Sequence, residues 1–239
     1  MRMPDFPLPE GVEMFVADNA GQCAAQLALD VAEILRLRIR RCRSASLVVS
    51  GGSTPLPFFR ALSEQDLEWE RVCVVLADER WVPEGDPASN TSLVRQHLLR
   101  GRARAARYLS LRQPLCTAEQ ALPGIEQVLA TLRLPVDVVI LGMGTDGHTA
   151  SLFPDAPQLE LALSGQAPGR AAVMTPPSQA HTRVTLTLPV LAGARFLALH
   201  LRGDDKLETL RQALAAQDEW RAMPVRAFLK PGLRIYWSP

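Results

Sequence analysis

Residues 46–62 read "SLVVSGGSTPLPFFRAL": a short apolar run, two glycines, two hydroxyl side chains, a proline, then apolar residues at helical spacing. The apolar run predicts a buried strand. Gly51 and Gly52 permit a tight turn, Thr54 has the character of a helix N-cap, and Pro55 suits the first helical position. This strand–turn–helix unit recurs along the chain and decides the fold class.

On the N-terminal side, "VEMFVA" (12–17) predicts a first strand, with Asp18 as the cap of a helix over 19–41. Leu27, Val31, Ile34 and Leu35 mark that helix's apolar stripe, and the basic run "RLRIRRCR" (36–43) closes it, where cations complement the helix dipole. On the C-terminal side, "RVCVVLA" (71–77) predicts a continuously apolar strand, with Cys73 as a small buried hydrophobe, ending in a long loop, "DERWVPEGDPASN". Further strands are expected at "YLSL", "VDVVILG" (136–142), "RAAVM", "RVTLTL", "RFLALHL" and "LRIYW". Helices are expected over about 91–99, 117–132 and 206–215. Near-continuous apolar strands alternating with helices imply an α/β fold whose mostly parallel sheet is covered on both faces. In such sheets ligands bind outside the carboxyl ends of the strands, near the point where strand order reverses.

Composition bounds the rest. A chain of 239 residues, 47% hydrophobic, can bury a sizeable core, and without repeats or linkers it reads as a single α/β domain over 1–239. A net charge of +1 gives no reason to expect nucleic acid or an anionic membrane as partner. No apolar stretch approaches the ~18–20 residues of a membrane span, and "MRMPDFPLPEG" has no apolar targeting core. Four scattered cysteines without a C-x-x-C pair read as free thiols of a cytoplasmic protein.

The polar motifs fall at strand ends. In "SGGSTP" (50–55), backbone N–H groups and the hydroxyls of Ser53 and Thr54 converge at a helix start, an arrangement that binds phosphate. An ordinary capped turn is equally compatible with this stretch, and no Walker lysine follows. In "DER" (78–80), Asp78 reads as a loop-capping carboxylate and Arg80 as a surface charge, although beside a phosphosugar Arg80 would contact substrate or stabilise an oxyanion. In "GDDKLETL" (203–210), Asp205 and Glu208 have capping-box spacing, which places Lys206 at the first helical position. A cation there opposes the dipole, a penalty that an anionic ligand would remove, so Lys206 is read as a phosphate contact. Arg183, after the Pro-rich loop, is either a second phosphate cation or a surface residue.

"GMGTDGHT" (142–149) carries G-x-G without the third glycine of a dinucleotide fingerprint. His148 follows Asp146 by two residues at a strand's carboxyl end. Imidazole is neutral at physiological pH and can take a proton from water as a general base.

Taken together, "SGGSTP", "LADERWVP" (76–83), "SN" (89–90), "LGMGTDGHTASLFP" (141–154), "RVTLTLP" (183–189) and "GDDK" (203–206) resemble, in order, the 6-phosphogluconolactonase branch of the glucosamine-6-phosphate isomerase-like proteins. The resemblance implies a three-layer α/β/α fold with a Rossmann-like sheet. It also implies hydrolysis of 6-phospho-D-glucono-1,5-lactone in the oxidative pentose phosphate pathway, without metal or organic cofactor, by a monomer or weak homo-oligomer. It casts His148 as general base, Asp146 as its neighbour, and Arg80 as a substrate contact. Gly51, Gly52, Ser53, Thr54, Asp78, Arg183 and Lys206 fall around the phosphorylated ligand, and the glycines of 142–147 read as clearance for a sugar ring. The isomerase branch, which abstracts a carbon-bound proton, has its catalytic carboxylate at the position of Asp78. That branch follows its His with an "FNEP"-like run whose Glu is missing from "SLFPDA". A sugar-phosphate sensor is the rival from another class, and it needs a DNA-binding segment for which little chain precedes the first strand. Asp155 departs from the glycine common after "SLFP".

Overall fold

The computed structural model describes residues 6–113 and 116–239. Residues 1–5, part of the segment read above as lacking a targeting core, and residues 114–115 lie outside the described residues.

The first half of the chain runs β1 (Glu13–Val16), α1 (Ala20–Cys42), β2 (Ala45–Val49), α2 (Leu56–Ser63), β3 (Val72–Leu76), β4 (Asp78–Arg80), α3 (Asn90–His97) and β5 (Arg107–Leu109). It continues through α4 (Ala118–Ala130), β6 (Val138–Leu141), α5 (Leu159–Leu163), β7 (Ala171–Met174), β8 (Arg183–Leu186), α6 (Leu188–Ala192), β9 (Phe196–Arg202), α7 (Asp204–Ala215) and β10 (Leu233–Ser238). Among the described residues seven strands form one sheet in the order β1-β10-β9-β6-β2-β3-β5, parallel throughout, with helices on both faces as expected. Every residue of β2 and of β6 is buried, which is why both read as unbroken apolar runs rather than alternating ones. Helix α1 lays Leu27, Val31 and Leu35 into the core, and none of the three has contact with solvent.

The order contains its own switch point. From β2 the chain proceeds outward through β3 to β5, then returns to place β6 on the other side of β2. The connections leaving β2 and β6 therefore diverge, and a crevice opens between them at the carboxyl edge.

Three local expectations are corrected. Asn19, not Asp18, caps α1, its side chain accepting from Gln22 N at 3.0 Å. "DER" does not begin a long loop but forms β4, paired antiparallel with β8, which in turn pairs with β7 in a separate three-stranded sheet. Three residues are too short to show period-2 alternation, so propensity had nothing to report there. Cys73 is only half-buried, on the edge-proximal strand β3.

Glu79 fastens this second sheet to the start of α3. Its carboxylate has no solvent exposure. Oε1 accepts from Arg80 N and Asn90 N, both at 2.8 Å; Oε2 accepts from Thr91 N at 2.7 Å and Thr91 Oγ1 at 2.6 Å. A carboxylate at the start of α3 also meets the positive end of the helix dipole. Replacing Glu79 by Ala would take the acceptor from the backbone N–H groups of Arg80, Asn90 and Thr91, the last two of them buried. The expected loss is about 3 kcal/mol or more in urea unfolding, and a change below about 1 kcal/mol would contradict this role.

Candidate active site

The crevice at the switch point is a cavity of about 320 Å³, within the range of small-molecule sites. Its lining comes from the β2–α2 loop, the ends of β4 and β8, the start of α3, the loop after β6, and the β9–α7 junction. Nine of the ten residues expected at the site, all but Asp146, line it: Gly51, Gly52, Ser53, Thr54, Asp78, Arg80, His148, Arg183 and Lys206. Asp146 stands one contact behind, against His148.

The loop after β6 is closed on itself. Gly144 N donates to His148 O at 2.8 Å, Gly147 N to Gly144 O at 3.1 Å, and Thr149 Oγ1 to Gly142 O at 2.7 Å. Asp146 Oδ1 lies 2.6 Å from His148 Nδ1 and also accepts from His148 N at 3.1 Å, so the carboxylate grips both ring and backbone of the same residue. Burial pushes the Asp146 carboxyl up, but the hydrogen bond and charge attraction of His148 outweigh it and leave the carboxyl below its ordinary value. With its Nδ1 proton directed at Asp146, the neutral ring carries its lone pair on Nε2. The other face of the arrangement is Phe153, stacked on the imidazole with centroids 4.0 Å apart. A Cβ at Gly144 would collide with this imidazole, so that glycine clears space for the histidine itself rather than for a sugar ring.

Arg80 and Arg183 are register partners across β4 and β8, two guanidinium groups side by side. Arg80 Nη1 donates to Ala88 O at 2.7 Å and Arg183 Nη2 to Gln179 Oε1 at 2.7 Å, yet the Nε of each is buried without a partner. Burial lowers the Arg183 pKa, opposed by Asp78 and reinforced by Arg80. Asp78 is not free: Oδ2 accepts from the fully buried Ser151 Oγ at 2.6 Å and faces Arg183 Nη1 at 3.8 Å. Arg183 also lies over the Phe153 ring, at 4.9 Å. A pair of like charges with unmade hydrogen bonds suits an anion.

Two expected caps are absent. Thr54 makes no capping bond: α2 begins at Leu56 with Pro55 at the cap position, which leaves the Thr54 hydroxyl to the cavity. Asp205 does not cap α7 either. Gly203 takes that position at φ 94°, Glu208 instead binds Arg211, and Lys206 is the third helical residue rather than the first. Asp204 and Asp205 already complement the dipole, so Lys206 carries no uncompensated penalty there, and it lines the cavity. At Asp155 the backbone is not left-handed, so no glycine is required; its carboxylate accepts from Ser178 N at 2.7 Å.

Asn90, Ser151, Phe153 and His200 were not singled out from the sequence. Asn90 Nδ2 donates to Asp78 O at 3.0 Å, and its side chain fills the space that a Cβ at Gly51 would need. "SN" and "SLF" carried a signal only through the family resemblance. His200 is a lone polar residue in the apolar run of β9.

An open parallel sheet with a cationic, histidine-bearing crevice at its switch point defines an α/β enzyme acting on a small anionic substrate. The chain belongs to the glucosamine-6-phosphate isomerase/6-phosphogluconolactonase family, whose model matches residues 18–237. It is 49% identical to the 6-phosphogluconolactonase of Pseudomonas aeruginosa over 239 residues, the whole of both chains. It is 44% identical to that of Rhizobium meliloti over 229 residues, covering 95% of this chain and 98% of the other. The crystal structure of a 6-phosphogluconolactonase from Shewanella baltica superposes with a TM-score of 0.93 at 39% identity, over 98% of this chain and all of the other.

Burial pushes the His200 imidazole from 6.5 down to about 4. Between those values the unfolded chain binds a proton that the folded chain refuses, so stability present above pH 6.5 is lost as pH falls toward 4. The expected contribution is at most about 3 kcal/mol. His200→Gln should therefore lose less stability than wild type between pH 7.5 and 4.5 in urea unfolding; parallel losses would refute it.

Proposed function

We propose that this chain is a 6-phosphogluconolactonase, hydrolysing 6-phospho-D-glucono-1,5-lactone to 6-phosphogluconate as a cytoplasmic enzyme of the oxidative pentose phosphate pathway. The observation that carries the mechanism is the Asp146–His148 pair, 2.6 Å apart, at a cavity that also holds Arg80, Arg183 and Lys206. The phosphoryl group is held by the Gly51–Thr54 loop with Lys206 and Arg183. His148 Nε2 takes a proton from water as the water oxygen attacks the lactone carbonyl carbon. The resulting oxyanion is stabilised by Arg80. It collapses with cleavage of the bond to the ring oxygen, and His148 returns the proton to that oxygen. Asp146 fixes the tautomer and steadies the imidazolium while it exists.

The isomerase alternative needs a carboxylate free to abstract a carbon-bound proton. The run after His148, "SLFPDA", lacks the glutamate of the isomerase branch, which favours the lactonase reading.

On freshly generated lactone, corrected for spontaneous opening, His148→Ala is expected to lose at least about 100-fold in kcat while still binding 6-phosphogluconate. Lys206→Ala is expected to raise KM about tenfold or more with a smaller effect on kcat. Turnover by His148→Ala at the wild-type rate would overturn the assignment, as would rapid proton exchange into glucosamine 6-phosphate by the wild type.

A further inference from the structure

His200 has no part in that mechanism, yet its ring lines the same cavity. It lies on β9 two residues before Arg202, and residues at that spacing project from the same face of a strand. Arg202 and Lys206 line the cavity as well. The imidazole stands edge-on to Phe58, centroids 6.1 Å apart, in the first turn of α2, the helix that begins where the Gly51–Pro55 loop ends. His200 is 5% exposed, and its Nδ1 is shielded without a hydrogen-bond partner. Burial holds the ring neutral. A neutral imidazole has one N–H and one lone pair, and an orphaned lone pair is the more tolerable of the two in a shielded position. The N–H therefore belongs on Nε2.

We infer that His200 is a phosphate-binding residue: its neutral imidazole donates an N–H hydrogen bond to the phosphoryl group of a ligand seated at the Gly51–Thr54 loop, with Arg202 and Lys206 supplying charge. The inference rests on reading this cavity as a phosphosugar site. It adds an uncharged donor to a set otherwise made of cations, hydroxyls and backbone. A neutral donor contributes to anion binding without adding to the repulsion among the cations.

The test is calorimetric titration of the full-length protein with inorganic phosphate at pH 7.5, for wild type, His200→Phe, His200→Leu and His200→Gln. The two apolar variants are expected to weaken the phosphate Kd about tenfold or more, the loss typical of a hydrogen bond to a charged group. His200→Gln, which keeps a donor, is expected to stay within about threefold of wild type. In lactone hydrolysis the apolar variants should raise KM about tenfold and lower kcat less than about threefold. Wild-type phosphate affinity in either folded apolar variant overturns the inference. So does equal weakening in all three variants accompanied by equal losses of Tm, the outcome of a purely structural role, and so does a wild type that binds no phosphate. His200-dependent phosphate binding by a protein that does not open the lactone would support the inference and sink the lactonase reading, so the two fail separately.

Discussion

One carboxylate without access to water, that of Glu79, joins the parts from which the cavity is built. By accepting from Arg80 N, Asn90 N and Thr91 N, it ties β4 to the first turn of α3. That tie places Asp78 and Arg80 on one side and Asn90 on the other. Asn90 then reaches back to Asp78 O and packs into the space left by the missing side chain of Gly51. Glu79 is satisfied because the dipole and free N–H groups of a helix start are the partners a buried carboxylate needs. The hydroxyl of Thr91, shared with Tyr108 at 2.8 Å, extends the network to β5 at the sheet's edge.

Adjacent cations are tolerated here on terms set by their neighbours. Arg80 and Arg183 sit opposite one another in a β-ladder, where like charges destabilise. Asp78 offsets part of that charge, Phe153 presents its ring to Arg183, and Ser151 holds Asp78 in position. What remains unmade are the two Nε–H bonds. The same Phe153 ring stacks on His148, so the imidazole and one of the cations share a single apolar support. A change at Phe153 would thus be felt in both functions, which no pairwise reading of the site would anticipate.

The main sheet was legible because its strands are buried on both faces. "SLVVS", "RVCVVLA" and "VDVVILG" announce themselves as apolar runs, and the turn residues after them mark the carboxyl edge where ligands bind. The small sheet was legible only in part: "RAAVM" and "RVTLTL" read as the strands that became β7 and β8, but β4 has three residues, all charged, and its pairing with β8 spans more than a hundred positions. Cap assignments at Asp18, Thr54 and Asp205 each failed by a residue or two, because α2 and α7 begin behind Pro55 and Gly203 with no side-chain cap, and local sequence leaves a helix start uncertain by that margin. Of the site, His148, Asp146, Arg80 and the 50–55 loop were visible as polar residues at strand ends. His200 was hidden in an apolar strand, and Ser151 and Phe153 in a run whose meaning came from resemblance alone.

The two chemistries of this family ask different things of the groups at the site. A base that abstracts a carbon-bound proton must present an unshared oxygen lone pair to the substrate and accept a proton reversibly. At Asp78, Ser151 donates to Oδ2 at 2.6 Å and the guanidinium of Arg183 faces the same oxygen, which fixes the orientation of the carboxylate at the cavity. His148 has the complementary arrangement: one nitrogen is engaged by Asp146, and the other carries its lone pair toward the chemistry. Attack by water on a lactone needs a single positioned base and a stabilised oxyanion, and this constellation contains the groups for both.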